Sequence, residues 1–140
     1  MSINIRAVQQ GFVGEVTAIN LCAPITQAQA DAIEKGMDDY AVLTFPGQPM
    51  TDEQQVAFTR NFGQLEITLA GQMAKPGERR FQQLELGDIS NYANGDTSRH
   101  YAREDKKRLY ALANRLWHSD ASFRAVGAGY TLLHARVVPS

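Results

Sequence analysis

The feature that most constrains this chain is a short segment in which a histidine and an aspartate stand two residues apart between large apolar residues. The segment reads Asn-Arg-Leu-Trp-His-Ser-Asp-Ala-Ser-Phe over residues 114–123. In a β-strand, side chains two residues apart project to the same face of the sheet. A strand here would therefore direct the imidazole of His118 and the carboxylate of Asp120 toward a common point.

The residues around this pair predict buried sheet rather than exposed loop. Trp117 and Phe123 flank the pair, and residues 126–138 form a strand-like apolar run. Such runs of apolar, aromatic and β-branched residues are typical of strands that lie inside a protein. We therefore expect the pair to lie on a buried strand.

One imidazole and one carboxylate on one face are two of the three ligands that hold Fe(II) in the 2-His-1-carboxylate triad of non-haem oxygenases. The tripeptide alone is weak evidence, since roughly 0.3 such pairs arise by chance in a chain with three His and 15 Asp+Glu. A half-buried histidine oriented by a carboxylate, or a zinc ligand of a hydrolase, remains an alternative. Neither His100, in a polar segment, nor His134, in the strand-like run, is a good third ligand.

Length and composition restrict the class of protein. With 140 residues, 44% of them hydrophobic, the chain forms at most a single domain with a core. A net charge of -1 favours no nucleic-acid partner. The single cysteine, Cys22, excludes an internal disulfide and favours a reducing compartment. With no signal-peptide pattern and no membrane-spanning apolar run, we expect a soluble cytoplasmic protein without a membrane partner.

The first half of the chain alternates between strand and helix patterns. Residues 27–38 repeat apolar positions every three or four residues after Thr26, which predicts an amphipathic helix. Thr51 and Gln54 form a capping-box pattern that begins a second helix, and Gly63 ends it. Strand patterns occupy residues 4–8, 12–21 and 41–45.

The second half has weaker patterns. Residues 67–80 are typical of a loop, and residues 81–89 predict a strand. Residues 91–105 are polar, and Asn-Gly-Asp at 94–96 marks a turn. We expect this polar segment to be a loop, either a lid over a substrate or a segment without fixed structure.

The motif of residues 114–123 resembles a known family. Asn-x-Leu-Trp-His-Ser-Asp-x-Ser-Phe is similar to the iron-binding signature of the taurine dioxygenase/2,4-dichlorophenoxyacetate dioxygenase (TauD/TfdA) family of Fe(II)- and 2-oxoglutarate-dependent oxygenases. The resemblance runs from Phe12 to Ser140 and is strongest to the aryloxyalkanoate branch. Further segments that fit the family are residues 42–49, 52–58, 61–66, 86–91 and 130–139.

The resemblance implies roles for particular residues. His118 and Asp120 match the family's first two iron ligands. Asn114 matches an asparagine that contacts substrate in the taurine branch, and a structural amide that holds the strand is an equal alternative. Thr68 and Gly71 stand where the taurine enzymes carry a histidine and a tyrosine that grip the sulfonate, which argues against taurine as the substrate.

The resemblance also implies a fold and a reaction. The fold is α+β: the N-terminal part of a double-stranded β-helix (jelly roll) with flanking helices, occupying residues 1–140 as a partial domain. The reaction hydroxylates a small organic acid with O2 while 2-oxoglutarate loses CO2 and becomes succinate. Hydroxylation beside the ether oxygen of a phenoxyacetate such as 2,4-D gives a hemiacetal that collapses to a phenol and glyoxylate.

The family's third ligand, a histidine, and its 2-oxoglutarate-binding threonine and arginine match no position of this chain. We therefore expect the chain to be an N-terminal portion of a longer, homo-oligomeric enzyme, with the cofactor-binding residues beyond Ser140, and to be inactive alone. The alternatives are a non-catalytic domain that keeps the early part of the fold for binding, and a dioxygenase acting on a sulfonate or sulfate ester.

Overall fold

A turn at Gly11 connects the first two strands of the fold. Gly11 has a φ of +69°, a conformation that glycine adopts without strain, and Phe12 N donates to Gln9 O at 3.1 Å across the turn. The turn reverses the chain between the first two strands. The computed structural model describes residues 2–9, 11–68, 71–72, 79–93 and 96–137.

The chain divides into two units, Met1–Leu65 and Glu66–Ser140, which are described separately. The first unit confirms the order of elements predicted from the sequence. Its elements are β1 (Asn4–Gln9), β2 (Val13–Thr17), α1 (Gln27–Asp39), β3 (Val42–Thr44), α2 (Asp52–Thr59) and a 3-10 turn (Arg60–Phe62).

The three strands of the first unit form one sheet in the order β1-β2-β3. β1 runs antiparallel to β2, with Ile5 opposite Val16, and β3 runs parallel to β2, with Leu43 opposite Gly14. A parallel pair needs a crossover connection, and α1 lies within it. The buried apolar side chains of this unit are those of Val16, Leu21, Ala30, Ile33, Val56 and Phe58.

α1 approaches the sheet closely because it carries a glycine at the contact. Gly36 is buried, and a Cβ placed on it would lie 2.6 Å from Ile5 Cδ1 and 3.1 Å from Leu43 Cδ1. A glycine inside a helix costs about 0.5–1 kcal/mol relative to alanine. The space that its missing side chain leaves is what lets Ile5 and Leu43 pack against the helix backbone.

Both helices of the first unit begin with capping boxes. Thr51 Oγ1 accepts from Gln54 N at 3.2 Å while Gln54 Oε1 accepts from Thr51 N at 2.8 Å, as the sequence predicts. α1 has the same reciprocal arrangement between Thr26 and Gln29. For α1 only the cap residue, Thr26, was predicted from the sequence. Each box satisfies backbone N–H groups that have no partner inside the helix.

Two glutamines hold the loop that follows β2. Gln48 Oε1 accepts from Leu21 N at 2.9 Å, and Gln48 Nε2 donates to Ile19 O at 3.2 Å. Gln54 Nε2 donates to Cys22 O at 2.8 Å. These amides connect the loop at residues 19–22 to the segment that leads into α2, so the start of α2 is fixed by side chains as well as by its own cap.

The second unit contains β4 (Tyr92–Ala93), β5 (Asp96–His100), α3 (Lys106–Ala111) and a 3-10 turn (Leu112–Arg115). β4 and β5 pair antiparallel. Asp105 caps α3, its side chain accepting from Lys107 N at 2.8 Å. No helix in the described part of the chain has the length and apolar character needed to cross a membrane.

Two predictions for the second unit are wrong. The predicted strand at residues 81–89 is irregular, and the polar loop predicted at residues 91–105 contains the β4–β5 hairpin instead. Asn-Gly between two strand-forming segments is a strong hairpin signal, and pairing across it outweighs the polarity of the segment. Asn94 and Gly95 themselves lie outside the described residues.

The predicted buried strands at the motif and after it are also wrong. Described residues 116–137 contain neither helix nor strand, and His134 is therefore not in a strand. Trp117 is fully exposed, and Phe123 and Val126 are 68% and 80% exposed. A strand needs a neighbour to hydrogen-bond with, and no described segment pairs with this one. The fold is thus α+β as predicted, and the described residues by themselves do not form a jelly roll.

Replacing Gly36 with valine is expected to destabilise the first unit by about 1–3 kcal/mol, because the added carbons overlap Ile5 and Leu43. Urea denaturation followed by circular dichroism measures the change. Ala28→Val on the exposed side of α1 is the matched control and should cost about 0.5 kcal/mol from helix propensity alone. Equal losses in the two variants would show that the close approach at Gly36 does not matter.

Candidate functional site

The histidine and the aspartate of the motif meet in the structure, although their backbone is not a strand. The pair follows α3 and the 3-10 turn. His118 Nε2 lies 3.1 Å from Asp120 Oδ1, and His118 Nδ1 lies 2.7 Å from Leu116 O. A turn therefore achieves the convergence that the sequence analysis assigned to a strand.

The spacing of the two side chains suits a metal ion. Two ligand atoms about 2.1 Å from one ion and at right angles to each other lie about 3.0 Å apart, close to the 3.1 Å between His118 Nε2 and Asp120 Oδ1. The side chains are 45% and 53% exposed, which leaves space for further ligands. The same distance also fits a hydrogen bond between the two side chains.

The environment of His118 favours its protonated form. Both ring nitrogens face oxygen acceptors, so the imidazolium can donate on each side. The pKa of His118 is raised above its ordinary value, first because the Leu116 carbonyl accepts from Nδ1. Desolvation, the next-largest influence, lowers the pKa, and the charge and hydrogen bond of Asp120 raise it. In the neutral ring, the same Leu116 contact keeps the proton on Nδ1 and leaves the Nε2 lone pair for a metal.

The other residues considered from the sequence are not at the pair. Asn114 lies in the 3-10 turn Leu112–Arg115, and its side chain is outside the described residues. His100 lies in β5 rather than in a loop and stacks on Tyr92 with ring centroids 5.0 Å apart. Within the described ranges, no group of three His, Cys, Asp or Glu side chains could hold a metal ion. The structure thus assembles two candidate ligands.

A contact between Arg124 and Glu66 was not predicted from the sequence. Arg124 Nε lies 2.9 Å from Glu66 Oε2, an ion pair whose N–H is not aligned as a hydrogen bond. Arg124 Nη2 donates to Ile67 O at 3.2 Å. No sequence signal marks this contact, because its partners are 57 and 58 residues earlier in the chain and belong to a segment without periodic pattern.

A turn joins the pair to Arg124. Ala121, directly after Asp120, has a φ of +54°, which is uncommon for a residue with a Cβ. Arg124 N donates to Ala121 O at 3.0 Å and closes the turn. The candidate ligands and Arg124 therefore lie within one short loop.

The comparison with protein families agrees with the motif. The family described as "Taurine catabolism dioxygenase TauD, TfdA family" matches residues 4–140. Two curated relatives are alpha-ketoglutarate-dependent 2,4-dichlorophenoxyacetate dioxygenases. The one from Burkholderia sp. (strain RASC) is 43% identical over 99% of this chain and 46% of its own length. The one from Cupriavidus pinatubonensis is 40% identical over 99% of this chain and 47% of its own length.

A third relative, the (S)-phenoxypropionate/alpha-ketoglutarate-dioxygenase of Sphingobium herbicidovorans, is 30% identical over 99% of this chain and 42% of its own length. The chain thus spans a little under half the length of the curated relatives it matches.

A solved structure has the same fold. The crystal structure of AAD-2 in complex with Mn(II) and N-oxalylglycine is 41% identical and superposes with a TM-score of 0.78 over 91% of this chain and 43% of that chain. With the family matched over nearly every residue, the chain belongs to the TauD/TfdA family of dioxygenases.

Proposed function

We propose that this chain supplies two of the three protein ligands of the iron in a 2-oxoglutarate-dependent dioxygenase, His118 through Nε2 and Asp120 through a carboxylate oxygen. The observation that carries the proposal is the 3.1 Å approach of these two atoms at the centre of the family motif. In the complete enzyme we expect the double-stranded β-helix to contain this loop.

The chain's own residues orient the metal ligands. Leu116 O holds the Nδ1–H of His118 and so sets the tautomer that presents Nε2 to a metal. Asp120 adds a negative charge that reduces the net charge of a divalent ion. Bound Fe(II) supplies the activation of O2 that is coupled to decarboxylation of 2-oxoglutarate. The 2-oxoglutarate-binding residues are expected outside this chain.

For the substrate, we propose a small aryloxyalkanoic acid. The relatives at 43% and 40% identity act on 2,4-dichlorophenoxyacetate, and one at 30% carries (S)-phenoxypropionate in its name. Hydroxylation of the carbon that bears the ether oxygen gives a hemiacetal, which breaks into a phenol and a 2-oxo acid, while 2-oxoglutarate becomes succinate and CO2. Asn114 is the proposed contact to the substrate. Taurine is disfavoured by Thr68 and Gly71.

From the sequence alone, we also propose that the complete enzyme is cytoplasmic and forms a homo-oligomer. The second candidate function is a non-catalytic binding domain. It is favoured by one observation, that the described residues bring together two candidate ligands and no group of three.

The first prediction concerns the metal. The product of the complete gene, loaded anaerobically with Fe(II) and 2-oxoglutarate, should show a visible charge-transfer band. His118→Ala and Asp120→Asn should abolish the band, because each removes a ligand, and His100→Gln should retain it. Absence of the band in the wild-type protein would refute the oxygenase proposal, and its survival in both ligand variants would refute the assignment of the pair.

The second prediction concerns the isolated chain. The 140-residue polypeptide with Fe(II), 2-oxoglutarate and 2,4-dichlorophenoxyacetate should form no succinate above a protein-free control, because an iron held by two ligands and lacking a 2-oxoglutarate subsite is not held in a defined geometry. Chromatographic assay of succinate measures the outcome. Turnover comparable to that of the complete gene product would overturn the assignment of a third ligand outside this chain.

The third prediction concerns pH. The pKa of His118, followed by NMR of its ring protons, should lie above the ordinary value of about 6.5 and should fall in Asp120→Asn. Because only the neutral imidazole binds a metal, metal affinity should be complete above this pKa and should decrease as the pH falls through it. A pKa at or below the ordinary value would contradict the two hydrogen bonds seen at the ring.

A further inference from the structure

The loop that carries the candidate ligands has little secondary structure to hold it. Described residues 116–137 include no helix or strand, and Ala121 departs from the conformations that alanine prefers. Iron ligands must be held within a fraction of an ångström to keep their geometry. Contacts from elsewhere in the unit therefore have to define where His118 and Asp120 lie.

Arg124 makes such contacts from the end of the ligand turn. Its Nη2 donates to Ile67 O at 3.2 Å, and its Nε lies 2.9 Å from Glu66 Oε2. The guanidinium carbon also lies 5.7 Å from the centre of the Phe123 ring. One side chain thus contacts a backbone carbonyl and a carboxylate through two nitrogens held in one rigid plane, a geometry that the single nitrogen of a lysine does not reproduce.

The segment that Arg124 grips is itself anchored. Thr68 N donates to Leu84 O at 3.2 Å, and Thr68 Oγ1 donates to the same oxygen at 3.1 Å. Thr68 Oγ1 also accepts from Gly71 N at 3.0 Å. Thr68, next to the Glu66–Ile67 segment, is therefore anchored to Leu84, and Arg124 connects the turn after Asp120 to that segment.

We propose that Arg124, together with Glu66, is a positioning residue of the iron site, which sets the approach of His118 and Asp120 without touching the metal. The inference rests on the proposed metal role of this pair. Arg124 follows Asp120 by four residues, and the closed turn between them leaves few ways to move one without the other. Loss of the Arg124 contacts to Ile67 and Glu66 should make the distance between His118 and Asp120 less well defined while the rest of the unit stays folded.

The ion pair by itself would carry little energy. Its side chains are 30% and 40% exposed, and exposed ion pairs contribute little to stability. Arg124 differs from other exposed ion-pair residues in the segments that it connects. The Lys35–Asp39 ion pair at 3.0 Å connects neighbouring turns of α1, whereas Arg124 connects the ligand turn to a distant anchored segment. The effect should therefore appear in metal binding rather than in overall stability.

The test uses Mn(II) alone and the product of the complete gene, in which a third protein ligand is expected to complete the metal site. Mn(II) broadens NMR signals of nearby protons, so the broadening of the His118 ring signals, with His100 and His134 as internal references, reports binding at the pair even when affinity is low. Asp120→Asn should remove the broadening. Arg124→Gln and Glu66→Gln should each raise the Mn(II) concentration at half-maximal effect by roughly threefold to fivefold.

Three further variants separate positioning from other effects. Lys35→Gln removes the same charge from an exposed ion pair and should leave the midpoint unchanged. Arg124→Lys keeps the positive charge without the planar guanidinium. Its Mn(II) concentration at half-maximal effect should lie between those of the wild type and Arg124→Gln. The double variant of Glu66→Gln and Arg124→Gln should bind no more weakly than Arg124→Gln alone, because both changes remove one contact.

The outcomes distinguish the inference from the proposed function. If wild-type His118 shows no Mn(II) broadening that Asp120→Asn removes, the proposed metal site fails and the inference fails with it. If wild-type binding is present and Arg124→Gln binds like Lys35→Gln, the inference alone is wrong. If Arg124→Gln also loses the amide signals of β5, the comparison uses Glu66→Gln, which leaves the Arg124–Ile67 hydrogen bond intact. A raised Mn(II) concentration at half-maximal effect then supports the inference, and one equal to that of Lys35→Gln overturns it.

Discussion

Strand pairing is the interaction on which the rest of this structure depends. β2 is hydrogen-bonded on both sides, to β1 and to β3, and its Val16 is among the most buried side chains described. Residues 116–137 have a composition equally typical of strands but meet no partner among the described segments, and their large side chains stay exposed. The backbone N–H and C=O groups of a strand must be paired or solvated, so apolar patterning produces sheet only where a neighbour exists. The same rule explains both the successful and the failed strand predictions.

The helices of the first unit depend on short-range chemistry that can be read from the sequence. The Thr51–Gln54 capping box acts within four residues, and the structure reproduces it. The cross-links made by Gln48 could not be read in this way. Its amide bonds Leu21 and Ile19, 27 and 29 residues earlier, and nothing in a glutamine's own neighbourhood specifies such a partner. The close packing of α1 at Gly36 likewise becomes visible only when β1 and β3 are placed beside it.

The candidate metal pair combines both kinds of information. His118 and Asp120 are two residues apart, and this spacing brings Nε2 and Oδ1 together in a turn just as it would in a strand. The predicted approach of the two side chains is therefore seen although the predicted strand is not. The raised pKa of His118 does not follow from the spacing of the two residues. The largest influence on it is the Leu116 carbonyl, whose direction depends on the local turn. The connection through Arg124 to Glu66 depends on contacts across 58 residues.

The family, the α+β class, the elements of the first unit and the two candidate iron ligands could be predicted from local sequence patterns and motifs. The exposure of the motif, the hairpin of residues 92–100 and the contact of Arg124 with Ile67 became visible only in the folded chain. The difference lies in how far apart in the sequence the interacting residues are. Caps, turns and ligand spacings are satisfied locally, whereas burial, strand pairing and side-chain anchoring require a partner whose position depends on the whole fold.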